Sequence, residues 1–350
     1  MTQASVGQTM RAAVIDGPGK LEIREVDVVA PAATEVLVRV EYCGVCGTDL
    51  HTTLDGWAPA GTIGGHEWSG RVTAIGSSVT DVAVGDLVVG GPPWCGTCEW
   101  CEKGRPALCV ADPIRTTALG HGGAFAEFHL ARAATVHRVP AGLDARTAAL
   151  SEPLAVALHG LTNAALPDDL SGTRILVSGA GPLGLLVIAA LVDRGAVDLT
   201  VSEPGQQRRL AALAAGATTT VAPEDLPLLP ALPTLTSPDG FDVVLETSGQ
   251  AVAVSTGLSL LRPTGRLVLL GTGAMSVKLD AIRILLNELV VTGAYCYDAT
   301  GIDDALALLA TGRLPIEALL STQDYGLDEM LEMMRALRSG EISRKALVRP

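Results

Sequence analysis

Residues 174–191 read Arg174-Ile175-Leu176-Val177-Ser178-Gly179-Ala180-Gly181-Pro182-Leu183-Gly184-Leu185-Leu186-Val187-Ile188-Ala189-Ala190-Leu191. An apolar run of strand length ends in glycines spaced G-x-G-x-x-G, and an apolar run of helix length follows. The glycine string alone is a weak signal; a strand before it and a helix after it give it meaning. In that setting the first glycine permits a tight turn. The second lets backbone approach a pyrophosphate, and the third lets helix and strand pack closely. The N-terminus of the helix offers free N–H groups and the positive end of a dipole to phosphates. Gly179, Gly181, Pro182, Leu183 and Gly184 are therefore candidate dinucleotide-binding residues. The competing reading is a glycine turn that packs helix on strand and holds no ligand. The stretch Ile175 to Leu191 is also the most apolar in the chain. It is about one turn short of a membrane-spanning helix and is broken by three glycines and Pro182, so it reads as strand, turn and helix, with no membrane span expected.

Working outward, the pattern of strand and helix repeats. Asp198-Leu199-Thr200-Val201-Ser202, Phe241-Asp242-Val243-Val244-Leu245 and Gly265-Arg266-Leu267-Val268-Leu269-Leu270 read as strands, with helices over Pro182–Asp193 and Gln206–Ala215. Such alternation implies a doubly wound parallel sheet, a Rossmann domain, covered on both faces. Glu203 ends the second strand, about 20 residues past the glycines, where an acid holds the ribose hydroxyls. Its carboxylate would repel a 2′-phosphate, which favours NAD over NADP; Arg208 and Arg209 nearby point the other way. Gly271 and Thr272, directly after the Gly265 strand, complete the candidate cofactor set. Pro223–Pro238 is proline-rich and reads as a loop.

Before about Glu152-Pro153 the texture is β. Glu35-Val36-Leu37-Val38-Arg39-Val40-Glu41 alternates apolar and polar, and Gly70–Gly76 and Asp86–Gly90 follow between glycine, serine and aspartate turn signals. This is a glycine-punctuated, barrel-like pattern, starting at Arg11 after a loose Met1–Thr9. From about Tyr295 the chain returns to mixed helix and strand. The expected organisation is a catalytic domain over 1–153, a nucleotide domain over 154–294 and a return to the first domain over 295–350.

Seven cysteines occur, and four crowd into Cys95-x2-Cys98-x2-Cys101-x7-Cys109. Four thiolates close a tetrahedral zinc site, and a closed site is structural because no position is left for substrate. The rival iron–sulfur spacing has a shorter last gap and a following proline, where this chain has Val110. A second constellation combines Cys46, His66 and a carboxylate, either Glu67 or Glu152. One thiolate, one imidazole and one carboxylate leave the exchangeable position that a catalytic zinc needs. Cys43 reads as a small buried apolar residue.

The chain holds 350 residues, 48% hydrophobic and 18% charged, with net charge −13. That composition supports a large core. The acidic balance disfavours a nucleic-acid partner, which requires a basic face. No signal peptide is visible, so a cytoplasmic location is expected.

Taken with Cys46-Gly47-Thr48-Asp49-Leu50-His51, Gly65-His66-Glu67, Ser151-Glu152-Pro153 and Phe241–Gly249, these features resemble the zinc-containing medium-chain dehydrogenase/reductase family. The likeness runs from Met10 to the end. It implies a GroES-like β-barrel catalytic domain interrupted by a Rossmann domain, with the active site in the cleft between them. It implies two zincs per chain: Cys46 and His66 at the catalytic one, four cysteines at the structural one. Relatives of this type carry glutamate at both remaining positions; Glu152 is favoured as the resting ligand, with Glu67 close to the metal. By the same resemblance zinc acts as a Lewis acid on an alcohol oxygen and a hydride passes to the nicotinamide. Thr48 stands beside the substrate oxygen and passes its proton through the cofactor ribose to His51. Asp49 is a candidate for orienting the zinc ligands.

The resemblance implies a small alcohol, polyol, sugar or secondary alcohol as substrate and a homodimer or homotetramer. Trp57 is a candidate pocket wall, Tyr295 and Tyr297 lie where the family's chain passes the nicotinamide, and Gly91 suggests a roomy pocket. The rival functions are a zinc-independent quinone or enoyl reductase and a non-redox binding protein on the same fold. A metal count separates the first rival; intact zinc ligands speak against the second.

Overall fold

The computed structural model describes residues 8–91, 94–110, 122–226, 240–273 and 276–350. They form two compact units. The first holds Met1–Ala155, Tyr297–Gly312 and Leu320–Pro350; the second holds Val156–Cys296 and Arg313–Leu319.

The first unit is built on strands. A hairpin pairs β1 (Thr9–Ile15) with β2 (Leu21–Asp27). Of the loose extension expected over Met1–Thr9, residues 1–7 lie outside the described residues, and Thr9 already opens β1. The long β3 (Glu35–Gly44) leads to α1 (Gly47–Leu54), and β4 (Glu67–Ile75) and β5 (Leu87–Gly90) follow. A single helical turn, α2 (Glu99–Glu102), lies among the clustered cysteines. Then come β6 (Phe128–Arg132), β7 (Val136–Arg138), α3 (Ala145–Ala148) and α4 (Ser151–Asn163), the helix in which the first unit gives way to the second.

The second unit alternates strand and helix: β8 (Arg174–Ser178), α5 (Pro182–Asp193), β9 (Asp198–Ser202), α6 (Gln206–Ala214), β10 (Thr219–Val221), β11 (Phe241–Glu246), α7 (Ala251–Leu260), β12 (Leu261–Leu269), α8 (Ala281–Leu286) and β13 (Val290–Gly293). The strands form one parallel sheet in the order β10-β9-β8-β11-β12-β13. That order is the doubly wound one, with the direction of winding reversing between β8 and β11. Leu185–Leu191 of α5 are buried throughout, which is why the run is apolar all round and lacks an alternating face. β12 begins at Leu261, earlier than the Gly265 start read from the pattern, and its pairing with β11 shifts register after Phe241. Of the expected loop Pro223–Pro238, residues 227–238 lie outside the described residues; Pro223–Asp225 form a short 3-10 turn.

The chain ends with α9 (Gly301–Ala310), α10 (Ile316–Leu319), β14 (Leu320–Tyr325), α11 (Met330–Ser339) and β15 (Lys345–Val348). β14 and β15 return to the first unit and extend its sheet, ordered β14-β15-β3-β4-β5-β7, with β6 also paired to β3. Trp68, Phe125, Met330 and Met334 lie in the core beneath it. Among the described residues no helix is long and apolar enough to cross a membrane.

Candidate active site

β3 and β4 run antiparallel with Gly44 opposite Glu67, so Cys46 and His66 leave the same end of the pair. Cys46 sits at the N-terminus of α1, where its N–H donates to Asp49 Oδ2 at 2.8 Å. A sulfur of Cys46, a ring nitrogen of His66 and a carboxylate oxygen of Glu67 all lie within 4.8 Å of one another. His66 Nδ1 is buried without a hydrogen-bond partner and stands 3.7 Å from Asp49 Oδ1. An imidazole held this way beside a thiol suits a metal ligand whose other nitrogen faces an orienting carboxylate. Burial raises the pKa of the Asp49 carboxyl against the pull of His66.

Glu152, in the first turn of α4, is 4% exposed. Burial pushes its carboxyl up to about 7, opposed by the nearby His66. Glu67 is fully buried and engaged by a residue that the motif reading missed. Lys345 Nζ donates to Glu67 Oε1 at 2.6 Å and Oε2 at 2.7 Å, and to the Val45 carbonyl at 3.2 Å. Burial works against the Lys345 charge, but Glu67 and Cys46 outweigh it and raise the ammonium's pKa. Gly44 makes the arrangement fit, because a Cβ there would stand 2.2 Å from Glu67 Oε2. The only sequence signal for Lys345 is a cation, next to Arg344, opening the last apolar strand.

The four clustered cysteines form a separate group. Sγ separations are 3.8 Å for Cys95–Cys101, 3.6 Å for Cys98–Cys101 and 3.8 Å for Cys98–Cys109. Four sulfurs at Zn–S bond length around one ion stand about 3.8 Å apart, so the edges fit a tetrahedral zinc. Hydrogen bonds from the backbone at Cys101 and Val110 bring the Cys98 thiol down to about 6, whereas burial pushes Cys101 up to about 12.

Thr48 is half-buried in the first turn of α1, and His51 lies one turn on. Trp57, read as a pocket wall, stacks on the His51 ring. Cys43 is fully buried, and burial raises its thiol pKa well above the ordinary value. The roomy pocket expected at Gly91 is absent. A Cβ there would stand 1.7 Å from the Tyr297 hydroxyl and 3.5 Å from Glu152 Cγ, so Tyr297 fills the space. Tyr297 is 3% exposed and Tyr295 45%.

In the second unit, Gly179 adopts φ +101°, which only glycine reaches without strain. A Cβ on Gly184 would meet the Gly179 carbonyl oxygen at 2.2 Å, whereas one on Gly181 would meet nothing within 4 Å. Tight turn, open approach and close packing are thus divided among the three glycines. Gly181 caps α5 and Pro182 opens it, with Leu183 next. Glu203 accepts the Ala180 N–H on Oε2 and the Gly205 N–H on Oε1, each at 2.9 Å, tying the glycine turn to the end of β9. Arg209 donates to the Glu203 and Pro204 carbonyls, and Arg208 is half-buried close to Gly205. Gly271 and Thr272 follow β12 and pack against Gly249.

An open thiolate–imidazole–carboxylate cluster, a closed four-cysteine cluster and a dinucleotide-type turn define a metal-dependent oxidoreductase class. Residues 32–141 match the model of the alcohol dehydrogenase GroES-like domain, and residues 182–311 match that of zinc-binding dehydrogenases. The chain is 34% identical to 2-dehydro-3-deoxy-L-galactonate 5-dehydrogenase of Pseudoalteromonas atlantica, over 89% of this chain and 91% of that protein. It is 31% identical to sorbitol dehydrogenase of Halalkalibacterium halodurans, over 95% and 97%. Its structure is similar to 2R,3R-butanediol dehydrogenase from Bacillus subtilis, with TM-score 0.84, 28% identity and coverage of 97% and 99%. The chain belongs to the zinc-containing medium-chain alcohol and polyol dehydrogenase family.

Proposed function

We propose that this protein oxidises a secondary hydroxyl of a small polyol, sugar or related alcohol with NAD, and reduces the matching ketone. The observation that carries this reading is the convergence of Cys46 and His66, apart from the four-cysteine cluster, with Glu67 within ligand reach of both and Glu152 electrostatically coupled to His66. Cys46 and His66 hold the catalytic zinc. Glu152 is the resting carboxylate ligand, a choice supported by Lys345 engaging both oxygens of Glu67. Cys95, Cys98, Cys101 and Cys109 hold the structural zinc. Bound zinc supplies a Lewis acid that makes an alcohol hydroxyl more acidic, and the bound dinucleotide supplies the hydride acceptor. Thr48 receives the substrate proton and His51 passes it to solvent, a task suited to an imidazole near neutral pH. The glycine turn and the N-terminus of α5 bind the pyrophosphate, Glu203 the ribose, with Gly271 and Thr272 beside the cofactor and Arg208 the residue through which NADP would compete. Names of relatives that act on polyols and diols support the substrate class.

The same reading places the protein in the cytoplasm as a homodimer or homotetramer, with no nucleic-acid partner. Support for self-association comes from β13, an edge strand of the parallel sheet, and from Ile282, Leu285 and Leu286 of α8, which are 59%, 70% and 51% exposed.

The test is an absorbance assay at the reduced-nicotinamide band, pairing NAD and NADP with polyols, sugars, secondary alcohols and hydroxy-amino acids, alongside metal analysis. Two zincs per chain and NAD-dependent turnover of a secondary alcohol are expected. A metal-free preparation that reduces quinones at full rate would overturn the reading.

A further inference from the structure

His51 carries more structure around it than an exposed side chain needs. Its Nδ1 lies 2.7 Å from Oδ2 of Asp55, one turn further along the chain. Arg338, on α11, grips the same carboxylate with both terminal nitrogens, at 2.5 Å to Oδ1 and 2.9 Å to Oδ2. The His51 and Trp57 rings stack with centroids 4.5 Å apart and planes 13° from parallel. Arg338 foremost, then His51, holds the Asp55 carboxyl down at about 2, so it stays an acceptor throughout the neutral range. An ionised carboxylate offers no proton, so a neutral imidazole bonded to it must carry its hydrogen on Nδ1.

We infer that Asp55 and Arg338 are positioning residues for proton transfer: the Arg338–Asp55 pair holds His51 in the Nδ1–H tautomer, Trp57 fixes the ring plane, and Nε2 is left as the basic atom. This rests on the reading of His51 as the outlet of the proton path. The chemistry follows from the two nitrogens of the ring. The relayed proton is taken up on Nε2 and given up to water from that same nitrogen, so the ring returns to its Nδ1–H form; a ring free to exchange tautomers presents a lone pair at Nε2 for only part of the time. Arg338 acts one step further back: its planar fork fixes both oxygens of Asp55, which a single ammonium would not do. A tie between α1 and α11 that served stability alone would need neither the histidine nor the stacked indole.

The test uses the zinc-loaded enzyme. Nitrogen-15 NMR at a pH where the imidazoles are neutral, with the His51 signal assigned by its loss in His51→Gln, should show the proton on Nδ1. Asp55→Ala should move it towards Nε2. In the alcohol assay, Asp55→Ala should lower kcat/KM about tenfold and Arg338→Met about threefold, a fraction of the factor that general acid–base groups supply. Arg338→Lys should recover part of that loss. In a His51→Gln background neither substitution should lower kcat/KM further, because residues acting through one group are not additive. Asp55→Asn, of the same shape, replaces Asp55→Ala if the alanine variant melts early. An unchanged tautomer in both Asp55 variants, or an undiminished kcat/KM loss in the His51→Gln background, would overturn the inference. A His51→Gln enzyme with wild-type kcat/KM would overturn the relay itself, while the tautomer result separately decides the orienting contact.

Discussion

The ammonium of Lys345 lies between the two carboxylate oxygens of Glu67, at 2.6 and 2.7 Å, with side chains only 3% and 1% exposed. The contact joins residues 278 positions apart and forms because β15 lies beside β3, with Leu347 opposite Gly44. Removing one partner of a buried pair leaves the other charge uncompensated, at a cost of about 3–5 kcal/mol. Lys345→Met is expected to lose that much stability in urea denaturation. Adding Glu67→Gln should recover more than half of it. A double variant as unstable as Lys345→Met would show that the pairing is not the cause.

Gly91 and Tyr297 share one space, since the Cβ of any other residue at 91 would stand 1.7 Å from the tyrosine hydroxyl. Gly91→Ala should force Tyr297 aside and cost about 1–3 kcal/mol, the usual range for overpacking. Tyr297→Phe removes the clashing oxygen and should restore most of the loss in the double variant. Thermal melting of the four proteins decides it; equal effects of Gly91→Ala with and without the hydroxyl would contradict the shared space.

The four-cysteine cluster should act on stability and not on chemistry. Cys98→Ser is expected to reduce zinc from two ions to one per chain by metal analysis and to lower the melting temperature, because binding at a structural site contributes directly to folding. The folded fraction should keep its kcat/KM. Retention of both zincs would refute the assignment.

His129, on β6, donates from Nδ1 to the Gly122 carbonyl at 2.7 Å and meets Trp68 edge-on. Burial brings its pKa down to about 4, partly opposed by that carbonyl. The unfolded value is about 6.5, so on acidification the unfolded chain binds a proton that the native state excludes. The stability contributed by neutral His129 is therefore complete above about pH 6.5 and is lost as pH falls towards 4, on the order of 3 kcal/mol in all. His129→Gln, which keeps a donor, should flatten the decline in denaturation free energy across that window. An unchanged decline would remove His129 from the account.

Local features are legible in the amino-acid sequence alone. The run around Gly179 specifies strand, turn and helix because each property belongs to neighbours in sequence: a backbone angle, a helix start, an apolar run. The cysteine spacing is equally local, since a short loop cannot place its four sulfurs far apart. The Gly91 reading fails for the opposite reason. A missing side chain predicts space only if nothing distant fills it, and Tyr297 arrives from 206 positions away.

By itself, then, the sequence determined the strand–helix alternation of the doubly wound sheet, the glycine turn and the four-cysteine spacing. Each is written in residue types close together along the chain, whereas the meeting of Cys46 with His66 needs the register of β3 against β4. Tertiary structure alone decided what stands behind those residues: Lys345 on Glu67, Arg338 on Asp55 beside His51, Tyr297 in the space at Gly91. These contacts depend on β15, α11 and the Tyr297 segment folding back onto the first unit, and no local pattern encodes which side chain a returning segment delivers.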